Sequence, residues 1–172
     1  MAPRSLVLAL ALAAPLWGAC SSVRLGLPFV AQAGPHLCGV ACVEMLGRYH
    51  GRRVPAAGLR ALEAEALATG GVSGASMKSA LEGAGYGVAV YPGTLDRALT
   101  GLLRQVDRGL PVVVMTGAGP RHYCVVSGYD EGRAMITLMD PGQGRVGLPF
   151  ADFERRWGQA GHFALVAEPP RP

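Results

Sequence analysis

The sequence predicts an α+β fold, with helices in the first half of the chain and strands in the second. Between residues 38 and 83, apolar residues recur at the three- and four-residue spacing of helices. From residue 86 onward, short β-prone segments bounded by glycine and proline take over. The length of 172 residues fits one domain, and no internal repeat divides the chain.

The first half of the chain contains three predicted helices. Apolar residues at positions 38, 41, 42, 45, 46 and 49 share one face, which predicts a helix from Cys38 to Tyr49. Positions 59, 62, 66 and 67 repeat the spacing and predict a second helix. Ser73 or Ser76 is placed to cap a third helix over residues 77–81.

The second half contains the predicted antiparallel sheet. Its strands are expected at 88–91, 111–116, 122–129, 134–139 and 162–167. Asp130, Glu131 and Gly132 are suited to a hairpin turn between the third and fourth of these strands. Helical spacing over 95–103 predicts a fourth helix that ends near Gly109, and a short fifth helix is expected at 150–157.

Composition and charge exclude several classes of protein. Half of the residues are hydrophobic and only 16% are charged, which excludes disordered and collagen-like chains. The net charge of +4 falls to +3 if Arg4 is removed with an export signal. Because the basic residues are dispersed and only 6% of residues are aromatic, we expect no nucleic-acid partner.

The amino terminus has the pattern of a bacterial export signal. Arg4 precedes an apolar run over 5–17, which is too short for a membrane-spanning helix of roughly 20 residues. Residues 16–20 (Leu-Trp-Gly-Ala-Cys) resemble a lipobox, although Trp17 departs from its usual aliphatic residue. We therefore expect a lipoprotein-type signal at 1–19, lipidation of Cys20, and a location in the bacterial cell envelope. Plain secretion, with Cys20 an incidental thiol, is the alternative, and residues 20–26 are expected to be a short tether.

Three residues stand where a cysteine nucleophile needs them. Cys38 opens a predicted helix, whose unpaired N–H groups favour a thiolate. His122 begins a strand, and Asp140 ends the next strand, where its carboxylate can orient the imidazole. Each residue alone has an ordinary explanation as a core cysteine, a strand histidine or a turn aspartate. Their joint placement predicts nucleophilic catalysis.

The same residues lie in motifs that resemble a known family. Residues 32–42 (Gln-Ala-Gly-Pro-His-Leu-Cys-Gly-Val-Ala-Cys) resemble the opening motif of the bacteriocin-processing, double-glycine leader peptidases and their stand-alone relatives, which are papain-like cysteine peptidases. The segments that agree in order are 109–114, 122–130, Asp140-Pro141 and the Phe-x-x-x-Trp helix near the carboxy terminus. The resemblance covers about residues 25–168.

The resemblance implies a role for each candidate residue. Cys38 is the nucleophile, His122 the general base and acid, and Asp140 the orienting carboxylate. Gln32, six residues before the nucleophile, is the oxyanion-hole donor. Leu37 departs from the family, which often has Asp or Asn at that position, but its change removes no catalytic group.

The resemblance also implies a papain-like domain at 27–168, in which amino-terminal helices pack on a carboxy-terminal antiparallel sheet, followed by a tail at 169–172. A peptide or protein is the expected substrate, without a cofactor. We expect no metal, because His36, His50 and His162 lack ligand spacing with cysteines or carboxylates. The chain has no room for the membrane and nucleotide-binding domains of full leader-processing transporters, so we expect no ATP use. The alternatives are a papain-like amidase or transglutaminase-type acyl transferase, and a non-catalytic envelope binding module.

The positions of Cys42 and Cys124 test the predicted contact between Cys38 and His122. Cys38 and Cys42 are four apart on one helix, and His122 and Cys124 are two apart on one strand. If Cys38 faces His122, then Cys42 is expected near Cys124, one step deeper in the core. The pair is predicted to be either a disulfide or two buried free thiols.

Overall fold

The computed structural model describes residues 21–117 and 122–170. In this part of the chain, five helices accompany seven strands that form one sheet. The helices are α1 (Cys38–Tyr49), α2 (Ala56–Thr69), α3 (Gly74–Gly83), α4 (Leu102–Asp107) and α5 (Phe150–Gly158). The strands are β1 (Ser22–Arg24), β2 (Gly87–Pro92), β3 (Val112–Thr116), β4 (His122–Asp130), β5 (Met135–Asp140), β6 (Gly144–Pro149) and β7 (Phe163–Glu168).

The sheet is antiparallel throughout its described pairings. Its order is β2-β7-β3-β4-β5-β6, and β1 pairs with β4. The last strand of the chain therefore lies between β2 and β3. Strand β4 lies in the interior of the sheet, and the hairpin to β5 carries a register shift between Val126 and Gly128. The predicted α+β, papain-like fold is confirmed.

Alternating side chains give the sheet two buried faces. Helices α1, α2 and α3 pack on the face formed by Val113, Tyr123, Val125 and Leu165. Helices α4 and α5 pack on the opposite face. The amino-terminal helices thus cover one side of the sheet, as the resemblance implies. No helix among the residues that the structure describes is long and apolar enough to cross a bilayer.

Most predicted elements are found near their expected positions. Helix α1 begins and ends at the predicted residues, and α2 includes positions 59 to 67. Ser73 is the cap of α3, because its hydroxyl accepts a hydrogen bond from the Ser76 N–H at 3.0 Å. Of the two predicted caps Ser73 is therefore the one confirmed, while the helix begins at Gly74, earlier than the predicted 77–81 segment.

The helix predicted over 95–103 is wrong in its first part. Thr94 and Gly101 instead form a parallel bridge that closes a turn, and α4 begins only at Leu102. The carboxylate of Asp96 accepts hydrogen bonds from the Thr94 hydroxyl and the Ala98 N–H, both at 2.8 Å. These local bonds compete with helix formation. A Cβ at Gly101 would lie 2.2 Å from the Asp96 carbonyl oxygen, so this turn requires glycine.

Two strands were not predicted. Strand β1 lies within the segment 20–26 that was expected to be a tether, and it pairs with the end of β4. Strand β6 pairs with β5 over residues 144–149. The predicted signal at 1–19 and the lipidation site Cys20 lie outside the described residues.

Candidate active site

Cys38 is the first residue of α1 and lies in the wall of a cleft of about 870 Å³. Leu37 precedes the helix without a side-chain cap. His36 has a φ of 66°, an uncommon conformation for a residue other than glycine, and it lines the same cleft. Gly39 permits close packing, because a Cβ there would lie 2.2 Å from Val72. The turn and the glycine together place the thiol at the start of the helix, facing the cleft.

His122 and Asp140 meet because β4 begins where its antiparallel partner β5 ends. The Nε2 atom of His122 lies 2.9 Å from Oδ1 of Asp140. The His122 side chain is 32% exposed and lines the cleft, whereas the Asp140 side chain is only 8% exposed. The carboxylate is therefore shielded behind an imidazole that substrate can reach.

The Asp140 carboxylate is held by the turn that follows it. Its Oδ1 atom also accepts hydrogen bonds from the N–H groups of Gly142 at 2.7 Å and Gln143 at 3.2 Å. Its Oδ2 atom accepts from the Gln143 side-chain amide at 3.3 Å and from the Cys124 thiol at 3.6 Å. These contacts fix the plane of the carboxylate and hence the orientation of the His122 ring.

The site favours a thiolate on Cys38. Burial raises the pKa of this thiol, but hydrogen bonds from the His122 side chain and the Tyr123 N–H outweigh burial. The pKa of Cys38 therefore lies below its ordinary value of 9.0. Contacts with Cys124 and Cys38, and the bond to Asp140, raise the pKa of His122. These shifts favour a Cys38 thiolate beside a His122 imidazolium.

Asp140 is charged and the Cys124 thiol is neutral, because hydrogen bonds lower the pKa of the first and burial raises the pKa of the second. Burial raises the pKa of Asp140, but hydrogen bonds from His122 and the Gly142 N–H outweigh it and lower the pKa below its ordinary value. Burial raises the pKa of the Cys124 thiol above its ordinary value. Asp140 is thus a carboxylate that accepts a hydrogen bond from a neutral Cys124 thiol.

Gln32 lines the same cleft as Cys38 and His122. Its backbone N–H donates to the Pro141 carbonyl oxygen at 3.0 Å, which ties it to the turn after Asp140. Its Nε2 group donates to the Gly34 carbonyl oxygen at 3.0 Å, and one N–H hydrogen of that amide is left for another acceptor. The buried Oε1 atom has no hydrogen-bond partner in the described part of the chain.

The structure therefore brings Gln32, Cys38 and His122 to one cleft, with Asp140 buried behind His122. The remainder of the cleft wall is formed by the end of α2, the loop that follows it and the start of α3. The sheet adds two aromatic side chains and one thioether side chain. The other lining residues are Glu65, Thr69, Gly70, Gly71, Val72, Ser73, Gly74, Met115, Tyr123 and Phe163. Because several of these are glycines, much of that wall is backbone, which offers hydrogen-bonding groups to an extended peptide.

The predicted proximity of Cys42 and Cys124 is found only in part. Burial and the charges of Cys124, Cys38 and Asp140 raise the pKa of Cys42, so these groups are electrostatic neighbours. However, Cys42 packs with the helices of one face and Cys124 with those of the other. All three described cysteines are free. Cys38 and His122 still line the same cleft, because Cys38 is the first residue of α1 and His122 is the first residue of β4.

Two contributors to the site were missed by the sequence reasoning. Gln143 binds both oxygens of Asp140. An aspartate before a Pro-Gly turn often accepts a hydrogen bond from a backbone N–H of that turn, which is the bond from the Gln143 N–H to Asp140. No sequence pattern indicates the second bond, from the Gln143 side-chain amide to Asp140. Cys124 was placed on the face of His122, yet its bond to Asp140 was not foreseen. His122, Cys124 and Asp140 also offer three ligand atoms within 4.8 Å of one another, a group that does not include His36, His50 or His162.

Comparison with known proteins agrees with this geometry. Residues 26–170 match the model of the Peptidase C39 family. No curated protein matches the chain. Among solved structures, a double glycine motif protease from an AMS/PCAT transporter, in complex with the leader peptide, has a TM-score of 0.68 at 20% identity. That alignment covers 86% of this chain and 95% of the relative.

Two other solved structures show the same fold. The peptidase domain of Streptococcus ComA, a bifunctional ABC transporter involved in quorum sensing, has a TM-score of 0.68 at 20% identity, covering 84% of this chain and 99% of that domain. A C39-like peptidase from Bacillus anthracis has a TM-score of 0.67 at 19% identity, covering 88% of this chain and all of that protein. The family match spans most of the chain and includes all four site residues, so the chain belongs to the Peptidase C39 family of cysteine peptidases.

Proposed function

We propose that this protein hydrolyses peptide bonds with Cys38 as nucleophile, His122 as acid and base, and Asp140 as the orienting carboxylate. The observation that carries the proposal is the 2.9 Å contact between His122 and Asp140 at the wall of a cleft that Cys38 and His122 both line. A nucleophile, a base within hydrogen-bond reach and a third group that orients the base are the arrangement that covalent catalysis requires.

The proposed reaction begins with attack of the Cys38 thiolate on the substrate carbonyl carbon. The resulting oxyanion accepts hydrogen bonds from the free N–H of the Gln32 side chain and from the Cys38 backbone N–H. The His122 imidazolium then gives its proton to the leaving amine, and the carbon–nitrogen bond breaks to leave a thioester. Water attacks the thioester while His122 takes the proton of the water, and the Cys38 thiolate leaves.

A peptide is the proposed substrate class. One relative of the same fold was solved with a leader peptide bound, which supports a peptide in the equivalent cleft. The backbone-rich loop at 70–74 opposite Cys38 also suits an extended chain. Amidase or transglutaminase-type chemistry would use the same thioester, so the acceptor that resolves it, water or an amine, distinguishes these functions.

We also propose that the protein acts in the bacterial cell envelope, anchored by lipid on Cys20. The support is the sequence alone, namely the export pattern over residues 1–19 and the lipobox-like segment that ends in Cys20. The pairing of β1 with β4 allows only a few residues between such an anchor and the folded domain. Because β1 pairs with the last residues of β4 and His122 is the first residue of that strand, the cleft lies at the end of β4 away from the anchor.

The experiment that tests the function compares three full-length proteins on a complex peptide mixture: the natural chain, Cys38→Ala and Cys42→Ala. Mass spectrometry identifies the products. We expect new peptide termini with the natural chain and with Cys42→Ala, which loses a thiol outside the cleft, and none with Cys38→Ala. Cleavage by Cys38→Ala would overturn the proposal, and amine adducts without new termini would indicate transfer instead of hydrolysis.

A further inference from the structure

We propose that His122, Cys124 and Asp140 form a binding site for a soft divalent cation, best matched by zinc, on the side of the imidazole away from Cys38. Inhibition through this site rests on the proposed function, but metal binding does not. The three side chains offer one nitrogen, one sulfur and one oxygen within 4.8 Å of one another. This mixed set is typical of zinc ligands.

To hold a tetrahedral ion, the three ligand atoms, which lie within 4.8 Å of one another, would have to change their spacing and turn toward one point. Zinc bonds of about 2.0–2.3 Å place neighbouring ligand atoms about 3.3–3.8 Å apart. In the structure, His122 Nε2 and Asp140 Oδ1 are 2.9 Å apart, and Cys124 Sγ and Asp140 Oδ2 are 3.6 Å apart. His122 and Cys124 are two residues apart on β4, so their side chains project from the same face of the sheet, and Asp140 is the last residue of the neighbouring strand β5.

The charges and the burial of the three ligand side chains also suit a divalent cation. Cys124 and Asp140 are 2% and 6% exposed, so an unpaired charge there would be costly. A thiolate, a carboxylate and a neutral imidazole carry two negative charges, which balance a divalent cation. The Cys124 thiol proton and the extra proton of the His122 imidazolium are released to solvent on binding. The N–H groups of Gly142 and Gln143 already orient the carboxylate, as outer-shell groups do in metal sites.

Access to the site comes through His122. Its side chain is 32% exposed and lines the cleft, so an ion can approach from that side and keep one position for water or another ligand. Cys38 is not required, because the three clustered ligands do not include it and the Nε2 atom of His122 faces Asp140. Coordination by the Cys124 thiol therefore distinguishes this site from one in which Cys38 and His122 bind the ion.

Metal binding would stop the proposed reaction. A His122 ring that coordinates the ion through Nε2 cannot also hold a proton on that atom, so it cannot become an imidazolium. It then cannot deliver a proton to the leaving amine. The ion also replaces the contact between His122 and Asp140. Zinc is therefore expected to inhibit the enzyme reversibly, with release by a chelator.

Binding is tested apart from activity in the full chain carrying Cys20→Ser and Cys38→Ala, in which Cys42 and Cys124 are the remaining thiols. The protein is titrated with Co²⁺, and the thiolate-to-cobalt charge-transfer absorption is measured before and after displacement by Zn²⁺. We expect one equivalent to bind. Adding Cys124→Ala, or His122→Ala, is expected to remove the absorption, whereas adding Cys42→Ala is expected to preserve it. Absorption that survives Cys124→Ala, or that is absent from the starting protein, would overturn the proposal.

Inhibition is tested with Zn²⁺ on the natural chain, Cys124→Ala and Cys42→Ala, each rate being divided by the metal-free rate of the same protein. We expect the Zn²⁺ concentration for half-inhibition to rise by more than about tenfold in Cys124→Ala and to stay unchanged in Cys42→Ala. Equal zinc sensitivity in all three proteins would contradict inhibition through this site. Because the cobalt titration uses inactive protein, failure of the proposed peptide hydrolysis would not be mistaken for failure of metal binding.

Discussion

Replacement of Asp140 by asparagine is expected to lower the pKa of His122 by about one unit. The carboxylate oxygen lies 2.9 Å from Nε2 and accepts two further N–H bonds, from Gly142 and Gln143. An asparagine side chain can present its carbonyl oxygen to the same three donors, so the ring orientation is kept while the negative charge is lost. The substitution therefore isolates the charge of Asp140 from its geometry.

The size of the expected change in the His122 pKa follows from the difference between a charged and a neutral hydrogen bond. A bond to a charged group contributes about 1.5–3 kcal/mol net, whereas a neutral bond contributes about 0.5–1.5 kcal/mol. Losing the charge thus costs the imidazolium about 1–1.5 kcal/mol, which corresponds to about 0.7–1.1 pKa units. The sign is downward, because the carboxylate stabilises the protonated form of His122 and raises its pKa in the natural chain.

The assay is NMR titration of the His122 ring in the full chain carrying Cys38→Ala, with and without Asp140→Asn. Removing the Cys38 thiol excludes its own effect on the imidazole. Asp152→Asn in the same background is the matched control, because it removes an equal charge from an exposed pair with Arg155. A His122 pKa that is unchanged by Asp140→Asn, or that is lowered equally by Asp152→Asn, would refute the reasoning.

Three further substitutions test other parts of the account. Gln32→Ala is expected to lower kcat by about 10²–10³-fold through loss of an oxyanion donor, and steady-state kinetics showing little change would remove Gln32 from the site. Cys20→Ser is expected to release the protein from the membrane fraction, and an unacylated natural protein by intact mass would contradict the anchor. Trp157→Ala is expected to cost about 3–5 kcal/mol of unfolding free energy in urea titrations, because Trp157 is fully buried against Phe153. A much smaller loss would show that α5 contributes little to the core.

The main helices and strands could be predicted because their apolar patterns are long and regular. Helix α1 begins at Cys38 and ends at Tyr49 as expected, since its apolar residues keep one spacing over three turns. The segment after Thr94 has the same spacing but is held in a turn by the carboxylate of Asp96. Periodicity does not report such local side-chain bonds, so the first part of that helix was wrongly predicted.

Strands β1 and β6 could not be predicted from their own residues. Strand β1 has three residues and exists because β4 supplies its backbone partners. Strand β6 begins and ends with glycine and proline, which are depleted in strands, and it is stabilised by pairing with β5. Such short edge segments depend on the finished sheet for their hydrogen bonds.

The candidate site was predictable in its members but not in its packing. The order of Cys38, His122 and Asp140 along the chain indicated the contacts that the structure contains. The spacing argument also predicted that Cys42 lies near Cys124, and the two thiols are electrostatic neighbours although they pack in different parts of the core. Periodicity gives the face of each element, whereas the angle between helix and strand is set by tertiary packing.

The central claim is that Cys38 is the nucleophile, and stoichiometric alkylation tests it most directly. Cys38 reaches the cleft and its pKa is lowered, whereas Cys42 and Cys124 are 0% and 2% exposed with raised pKa values. Iodoacetamide is added in steps, each thiol is quantified by peptide mass spectrometry, and peptide cleavage is measured on the same samples. We predict that cleavage falls in proportion to the alkylated fraction of Cys38 while Cys42 and Cys124 stay unmodified. Full cleavage by protein whose Cys38 is completely alkylated would contradict the account.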